Sequence, residues 1–361
     1  VEQLPHPERL RLVFDHIVPA NTGTTATLQA ELRGYARASG IDLSDAGGGI
    51  CHQVMSEGVV RPGMVVVGAD SHTCTLGALG AFATGVGATD MAAIWASGAT
   101  WFRVPETIAV NLTGRLGGPA EPKDVALACV ARLGMEGATY RALEFVGDGA
   151  SGISMDGRLT LCNMAVETGA KTGIFYADAV TVRHLAGHGV AASPQAVEEP
   201  RYEREIAIDL SGIVPLVAVP HRVDTVREAE DVAGTPIDQV FVGTCTNGRY
   251  EDLARLARIV RGRKVAVRTL VVPASRAVLA RAIATGVLAD IVDAGCMVAP
   301  PGCGPCLGAH EGVMGEGEVC LSTANRNFKN RMGVGAEIYL SSVATAAVSA
   351  LAGEIAVPEV A

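Results

Sequence analysis

The last third of the chain alternates between short apolar runs and amphipathic runs, and this alternation limits the possible folds more than any other feature. We predict strands and helices in turn at 239–243, 251–260, 269–273, 276–291 and 296–299, with helices at the second and fourth ranges. Strands that alternate with helices pair in parallel through right-handed crossovers. The pattern therefore predicts an α/β fold with a parallel sheet.

The first third predicts a similar unit. A mostly β-branched run at 64–67 leads through a glycine into the polar residues Asp70, Ser71 and His72, which we expect on a loop at the carboxyl end of a strand. Ligand sites in open α/β sheets collect at such ends. A helix is predicted at 90–102, with Asp90 as its cap and Pro105 as its stop.

The middle of the chain predicts a further unit, with a strand at 107–112 and a helix at 122–133. A segment rich in Pro, Glu and Arg at 193–204 is typical of an exposed connection. We therefore predict three α/β domains, at 1–105, 106–222 and 223–361.

Composition excludes several classes of protein. With 49% hydrophobic residues the 361-residue chain can bury sizeable cores, and its net charge of -9 disfavours nucleic acid as a partner. The longest weakly polar stretch, 76–100, is a poor membrane span because it contains Asp90 and five glycines. The first eleven residues lack the apolar centre of a signal peptide, so we expect a cytoplasmic protein.

Three cysteines in two glycine-rich motifs carry the strongest chemical signal. Cys245 lies in G-T-C-T-N, and Cys303 and Cys306 lie in P-G-C-G-P-C, both just after predicted strands. Nine cysteines without a secretory signal favour metal ligation over a disulfide framework. Three thiolates with no equivalent fourth ligand suit an iron-sulfur cluster in which one iron stays open to substrate.

Other interpretations of these cysteines are a redox dithiol and a zinc ribbon. The C-x-x-C pair alone is as typical of a thioredoxin-like dithiol as of a metal site. Pro301 and Gly302 precede the pair where thioredoxins carry tryptophan, and Cys245 follows a strand in the same predicted domain. A zinc ribbon requires a second C-x-x-C motif, which the sequence lacks.

The remaining cysteines and several histidines are predicted to be structural. The cysteines are Cys51, Cys74, Cys129, Cys162, Cys296 and Cys320, of which Cys74 lies close to His72 in the sequence. The histidines without a polar motif are His6, His184, His188, His221 and His310. An isolated histidine is most often a surface residue or a satisfied core residue.

The ordered motifs of the chain resemble the aconitase superfamily, and most closely the large subunits of 3-isopropylmalate dehydratase and homoaconitase. The resemblance spans nearly the whole sequence. It rests on Phe14-Asp15-His16, Gly49-Ile50-Cys51-His52-Gln53, Gly68-Ala69-Asp70-Ser71-His72-Thr73, Cys162-Asn163-Met164 with Glu167, Gly243-Thr244-Cys245-Thr246-Asn247, the P-G-C-G-P-C pair, and Asn325-Arg326-Asn327-Phe328 with Arg331.

The resemblance implies three aconitase-type α/β domains around a 4Fe-4S cluster held by Cys245, Cys303 and Cys306. The fourth iron of such a cluster binds the hydroxyl and a carboxylate of the substrate. The implied reaction is a reversible loss and re-addition of water that moves a hydroxyl between adjacent carbons. Because hydroxide leaves poorly, this reaction needs a Lewis acid and a proton donor.

The resemblance also implies roles for the polar motifs. His16 is the best candidate for the acid, with Asp15 beside it, and a carboxylate bound to an imidazole fixes its tautomer and raises its pKa. Asp70 is expected to orient His52, and Glu167 to orient His72, although spacing alone does not fix these pairs.

Substrate and cluster contacts complete the implied site. Arg326 and Arg331 are expected to clamp substrate carboxylates, whereas Lys329 is assigned to the surface. Ser71 is expected to contact a substrate carboxylate. Asn163 and Asn325 are expected to neighbour the cluster.

Two departures from the family lead to an expected partner. Relatives carry an additional N-terminal segment with a substrate-contacting residue ahead of Asp15, which here lies only fourteen residues from the start of the chain. Single-chain aconitases also carry a swivelling domain with the serine that acts as base, and nothing in this sequence resembles it. We therefore expect a separate small subunit that supplies the base and much of the substrate preference.

The predicted function is that of a hydro-lyase large subunit that isomerises 2- and 3-isopropylmalate in leucine synthesis. Enzymatic alternatives are homoaconitate hydration in lysine synthesis and hydration of citraconate or methylmalate-type acids. Outside hydro-lyases, the alternatives are a C-x-x-C redox or electron-transfer protein and a scaffold that has lost its cluster.

Overall fold

The computed structural model describes residues 4–196 and 199–359. Its α-helices are α1 Gly23–Ser39, α2 Cys51–Ser56, α3 Ala88–Ser97, α4 Pro122–Leu133, α5 Met155–Ala165, α6 Ala179–Gly187, α7 Thr244–Asn247, α8 Tyr250–Val260, α9 Arg276–Ala284, α10 Val287–Asp293 and α11 Val343–Ala352. Its strands are β1 Arg11–Val13, β2 Asp42–Ser44, β3 Val65–Gly68, β4 Phe82–Gly85, β5 Thr107–Thr113, β6 Ala142–Val146, β7 Thr172–Ile174, β8 Arg204–Asp209, β9 Leu216–Ala218, β10 Val226–Glu228, β11 Gln239–Val242, β12 Arg268–Val271, β13 Met297–Val298, β14 Val319–Ser322 and β15 Glu337–Ser341.

The C-terminal part of the chain forms a seven-stranded sheet in the order β10-β9-β15-β14-β11-β12-β13. The five strands from β15 to β13 are parallel, as the alternating sequence pattern predicts, and β9 and β10 extend the sheet in antiparallel fashion. Because β9 belongs to this sheet, the sheet begins before residue 223, where the third predicted domain starts.

Alternate side chains of β11 pack on opposite faces of this sheet. Val240 and Val242 face a core that includes residues of α8 to α11, whereas Phe241 faces a second core with residues of α4. Helix α4 also contributes Val125 and Cys129 to the core of the neighbouring sheet, so it is enclosed between two sheets. A helix placed in this way is buried on most of its circumference.

The neighbouring sheet has four parallel strands in the order β7-β6-β5-β8. The N-terminal part carries two small parallel pairs, β1 with β2 and β3 with β4. Each of β1 and β3 ends just before a polar motif, so the motifs emerge at strand ends. The three-part division of the chain remains a prediction.

Two predicted helices differ from the structure, and a glycine explains each difference. The helix predicted at 90–102 is α3, which ends at Ser97, before the predicted end, because Gly98 caps it with φ 72°. Asp90 lies inside its first turn and accepts a hydrogen bond from Gly87 N. The helix predicted at 276–291 is divided into α9 and α10 by Gly286, whose φ is 77°. A left-handed residue ends an α-helix, and glycine adopts that conformation most readily.

The connection predicted at 193–204 lies partly outside the described residues. Residues 193–196 and 199–203 form no helix or strand, and β8 begins at Arg204. The helix predicted at 122–133 coincides with α4.

Candidate functional site

Asp15 and His16 follow β1 and form one of three carboxylate-imidazole pairs. His16 Nδ1 donates to Asp15 Oδ1 at 2.8 Å, and Cys51 N donates to Asp15 Oδ2 at 2.8 Å. Burial favours the protonated acid, but these hydrogen bonds lower the pKa of Asp15 below its ordinary value. The bond to Asp15 raises the pKa of His16, whose side chain is 44% exposed. Since Nδ1 is held by Asp15, Nε2 is the atom that can exchange a proton with a ligand.

One oxygen of Asp70 serves two histidines. Asp70 Oδ1 accepts from His52 Nε2 at 3.0 Å and from the backbone N of His72 at 2.7 Å. Asp70 also caps the 3-10 helix Ser71–Leu79, which places it just beyond β3. Burial opposes its charge, yet the bonds from both histidines hold the pKa of Asp70 well below its usual range.

His72 lies between two carboxylates. Its Nε2 donates to Glu167 Oε1 at 2.8 Å, and both side chains are buried. Arg326 Nε donates to the same oxygen of Glu167 at 2.8 Å. Burial lowers the pKa of His72, but Asp70 and Glu167 outweigh it and raise the pKa above its ordinary value. These are the carboxylate-histidine pairs that the family resemblance implies.

Cys245 lies in α7, a one-turn helix that follows β11 directly. Thr244 has φ 72°, so the backbone turns sharply before the cysteine. At Gly243 an added Cβ would lie 2.9 Å from Val272 O, which leaves room only for glycine. The turn thus places the thiol at the carboxyl end of a central strand.

Cys303 and Cys306 follow β13 at the same edge of the sheet. Cys303 N donates to Asp15 O at 2.9 Å, which joins this loop to the Asp15 motif. Gly304 has φ +56°, and an added Cβ would lie 2.9 Å from Val272 Cγ2. Tight backbone packing therefore fixes both cysteine turns.

The three cysteines are buried and lie close together. Cys245 and Cys303 pack together with Ile50 and Ala274. Burial raises the pKa of Cys245 to about 12, and neighbouring Cys306 contributes. Burial also raises the pKa of Cys303, with Cys245 and Cys306 adding to the effect. Three thiolates in these positions therefore need a compensating positive charge.

Two buried asparagines aim amide groups at these sulfurs. Asn163 Nδ2 donates to Cys245 Sγ at 3.1 Å, and Asn325 Nδ2 donates to the same sulfur at 3.4 Å. Cys306 Sγ donates to Asn325 Oδ1 at 3.9 Å. Amide donors to thiolate sulfur tune the charge and potential of iron-sulfur clusters.

Arg331 places positive charge beside Cys306. Its Nη2 donates to Cys306 Sγ at 3.8 Å, and among the described residues its buried Nε has no partner.

Asp15, His16 and Cys303 each offer one ligand atom, and these atoms lie within 4.8 Å of one another. Three buried thiols, amide donors and a nearby cation form a donor set that could hold a cluster with three cysteine ligands.

A cleft opens beside Ser71. Ser71 lies at its edge, with Thr84, Gly85, Trp101 and Lys171 among the other lining residues. Ser71 Oγ lies 3.3 Å from His72 Nδ1. A small anion in this cleft can therefore reach the hydroxyl of Ser71, whereas His16, His52 and His72 are not among the lining residues.

The residues assigned structural roles lie mostly in the core or in local contacts. Cys74, Cys129, Cys162, Cys296 and Cys320 are buried free thiols, whereas Cys51 is half-buried with its Sγ 3.5 Å from His52 Nδ1. His184 Nε2 donates to Ser56 O at 3.0 Å, and His310 Nε2 donates to Pro19 O at 2.8 Å.

Sequence reasoning missed two buried cations around the site. Arg249 is 1% exposed and donates to the backbone of the Cys245 turn, and Lys123 is 0% exposed and donates to Thr323 O and Ala324 O. Arg249 follows the G-T-C-T-N motif by two residues, which is the one signal that points to it. Lys123 has no such signal, because a lysine in the first turn of a helix is usually exposed.

Within the described ranges, every helix is too short or too polar to traverse a lipid bilayer.

Comparison with known proteins places these features in a known group. The model of the aconitase family (aconitate hydratase) matches residues 10–234 and 225–353. A probable methanogen homoaconitase large subunit of Methanosarcina mazei is 52% identical over 99% of this chain and 93% of its own length. The 3-isopropylmalate dehydratase large subunit 2 of Archaeoglobus fulgidus is 49% identical over 97% of this chain and 86% of its own length.

A second homoaconitase and a solved structure complete the comparison. The homoaconitase large subunit of Thermus thermophilus is 49% identical over 98% of this chain and 85% of its own length. The crystal structure of Thermococcus kodakaraensis aconitase X in its holo-form aligns with a TM-score of 0.51, over 84% of this chain and 72% of that chain, at 13% identity. The structural likeness supports the predicted α/β fold.

Proposed function

Since this chain belongs to the aconitase family, we propose that it is the large subunit of an iron-sulfur hydro-lyase that interconverts 2- and 3-isopropylmalate. One observation carries the proposal: three buried thiols with amide donors lie beside carboxylate-imidazole pairs and an arginine that can bind a carboxylate. Loss of water from a hydroxy acid is assisted by a proton donor and a Lewis acid, and an arginine can hold the carboxylate of the substrate.

Cys245, Cys303 and Cys306 would hold the cluster, and Asn163 and Asn325 would donate to its cysteine sulfurs. When bound, the cluster supplies a Lewis-acidic iron that polarises the C–O bond of the substrate. Ile50 and Ala274 pack against Cys245 and Cys303, so apolar side chains help to bury these two thiols.

His16 is the proposed acid that protonates the departing hydroxyl. Asp15 holds Nδ1 of its ring and so directs Nε2 toward the ligand, and the raised pKa keeps the ring protonated closer to neutral pH. In the reverse direction the same Nε2 accepts a proton from water.

The remaining pairs position the substrate and its surroundings. Arg326 uses Nε to bind Glu167, and no residue in the described ranges bonds its Nη groups, so they can clamp a carboxylate. Arg331 and Ser71 are proposed to bind the same class of group. Asp70 and Glu167 hold His52 and His72 in fixed orientations beside them.

A separate small subunit is proposed to complete the enzyme by supplying the base that removes a proton from a carbon atom of the substrate. The complete enzyme is proposed to work in the cytoplasm. The relatives described above are named large subunits, which supports this arrangement. The second candidate substrate is homoaconitate, because the relative from Methanosarcina mazei, at 52% identity, is named a homoaconitase.

The test reconstitutes the chain anaerobically with iron and sulfide and adds candidate small subunits. Absorbance of the unsaturated acid is then followed with isopropylmalate, homocitrate and citrate. Turnover of isopropylmalate supports the first proposal, and preferential turnover of homocitrate moves the assignment to homoaconitase. A loaded cluster with no turnover of any substrate contradicts the hydro-lyase proposal.

Cysteine variants test the proposed ligands. We expect Cys245→Ser to abolish assembly of a stable four-iron cluster, because serine replaces a thiolate ligand. Cys320→Ser is the matched control, since Cys320 is a buried free thiol in β14 and is not a proposed ligand. Iron and sulfide content measure the result, and equal loading of both variants would contradict the assignment of Cys245.

A further inference from the structure

We propose that Arg249 is a positioning residue that determines how firmly the site retains iron, because its guanidinium fixes the turn that carries Cys245. The inference rests on the proposed function, since it concerns the cluster that Cys245 would hold. Arg249 is 1% exposed and lies between α7 and α8. An arginine buried to this extent is rare unless its charge and donors are matched.

The guanidinium binds the end of the cysteine turn. Arg249 Nη1 donates to Thr246 O at 2.6 Å, and Nη2 donates to Cys245 O. The last carbonyls of a helix have no partner within the helix. Arg249 therefore supplies the hydrogen bonds that a one-turn helix cannot make for itself in a buried place.

The same guanidinium reaches two other parts of the site. Nε donates to Gln53 Oε1 at 3.1 Å, and Gln53 is the neighbour of His52 in α2. Nη1 also donates to Thr160 Oγ1 at 3.3 Å, and Thr160 lies in α5, which carries Asn163. One side chain thus joins the Cys245 turn to the helix of His52 and to the helix of Asn163.

This arrangement gives Arg249 an effect on the metal beyond general stability. Its donors hold the backbone carbonyls of Cys245 and Thr246, so its positive charge lies in direct contact with the turn that carries the proposed thiolate ligand. Substitution of groups that orient ligands from outside the coordination sphere typically weakens metal binding roughly 10- to 100-fold. We expect a change of that size when the fork of Arg249 is removed.

The experiment compares Arg249→Met with Arg158→Met in the full chain. Arg158 is equally buried and lies in α5, and it donates to Asp178 and to the carbonyls of Ile153 and Ala150. It therefore matches the loss of a buried guanidinium that does not bond the turns of the three proposed ligand cysteines. Both variants are reconstituted anaerobically, and iron release to a chelator is followed by absorbance. We expect Arg249→Met to release iron roughly 10- to 100-fold faster than the wild type, and Arg158→Met to release it at the wild-type rate.

Hydrogen exchange of the cluster-free chain provides a readout that is independent of iron. We expect faster exchange in the peptide that covers residues 243–249 of Arg249→Met, where Asn247 N donates to Gly243 O, than in the same peptide of Arg158→Met. If Arg249→Met does not fold, Arg249→Lys decides by both readouts, since it keeps the charge and loses the fork.

The outcomes separate this inference from the proposed function. Equal iron release by the wild type and the Arg249 variant, with both loaded, overturns the inference alone. Equal acceleration by both methionine variants also overturns it, because that result indicates a general loss of stability. A wild-type chain that binds no cluster overturns the proposed function, and with it the retention of iron assigned to Arg249.

Discussion

His72 is held in a buried network through both its backbone and its side chain. Its backbone N binds Asp70 and its ring binds Glu167, which in turn binds Arg326. Glu167 therefore accepts from both the His72 ring and the Arg326 guanidinium, and its negative charge helps to raise the pKa of His72. The arrangement ties the orientation of the imidazole to the position of the guanidinium that is proposed to clamp substrate.

This network predicts a pH-dependent contribution of His72 to stability. Because the folded-state pKa of His72 is raised above its ordinary value of 6.5, its protonated form stabilises the fold fully below about 6.5. That stabilisation is lost as the pH rises through the raised pKa. We expect the difference in the free energy of unfolding between wild type and His72→Gln to shrink over this range, as measured by urea titration of the cluster-free chain.

His184→Gln provides a control of opposite sign. Burial lowers the folded-state pKa of His184, so its unfolded form binds more protons just below 6.5. The advantage of wild type over His184→Gln should therefore grow as the pH rises toward 6.5. Parallel trends for both variants would contradict the network assigned to His72.

At the scale of elements, the cysteine turns depend on backbone positions that exclude larger residues. Gly304 has a left-handed φ of +56°, and a Cβ added there would lie 2.9 Å from Val272 Cγ2. Gly262 has a similar φ of +73°, but a Cβ added there would have no atom within 4 Å. The two glycines therefore separate the cost of conformation from the cost of crowding.

We expect Gly262→Ala to lower the free energy of unfolding by about 1 kcal/mol, the conformational cost alone. Gly304→Ala should lower it by about 2–4 kcal/mol, because the methyl group also meets Val272. Urea unfolding of the cluster-free chain measures both values. Equal costs would show that the turn around Gly304 has room to relax.

Elements with clear local signals were predictable from sequence, and those set by tertiary contacts were not. The 122–133 helix is found as α4, because its apolar spacing and initial Pro122 are local signals. The break at Gly286 was missed, because a lone glycine in a helical pattern does not reveal its φ. The sequence motifs indicated the candidate site residues. The burial of Arg249 could not be predicted, because it depends on partners in distant segments.

At the scale of the whole molecule, α4 links the two large sheets. Its Lys123 Nζ donates to Thr323 O at 2.8 Å and to Ala324 O at 2.6 Å, at the end of β14. These carbonyls immediately precede Asn325 and Arg326 in the chain. A buried ammonium in one sheet unit thus secures a loop of the other, and burial lowers its pKa to about 7.

Lys123→Met is expected to lower the free energy of unfolding by about 1–3 kcal/mol, because two buried carbonyls lose their donor. Lys264→Met is the matched control, since the exposed Lys264 also donates to a carbonyl, that of Asp293, but in contact with water. Its cost should stay within about 0.5 kcal/mol. Urea titration checks both, and an effect of Lys123→Met as small as that of the control would contradict the proposed link.

The shared oxygen of Asp70 has a consequence for how this site can evolve. Because Asp70 Oδ1 accepts from the His52 ring and from the backbone N of His72, replacement of the aspartate frees an imidazole and uncaps the helix that begins at Ser71 in one step. We therefore expect mutations at Asp70 and His52 to be epistatic. Divergence in substrate preference is expected to proceed through side chains that touch the substrate alone, while this pair is inherited as a unit.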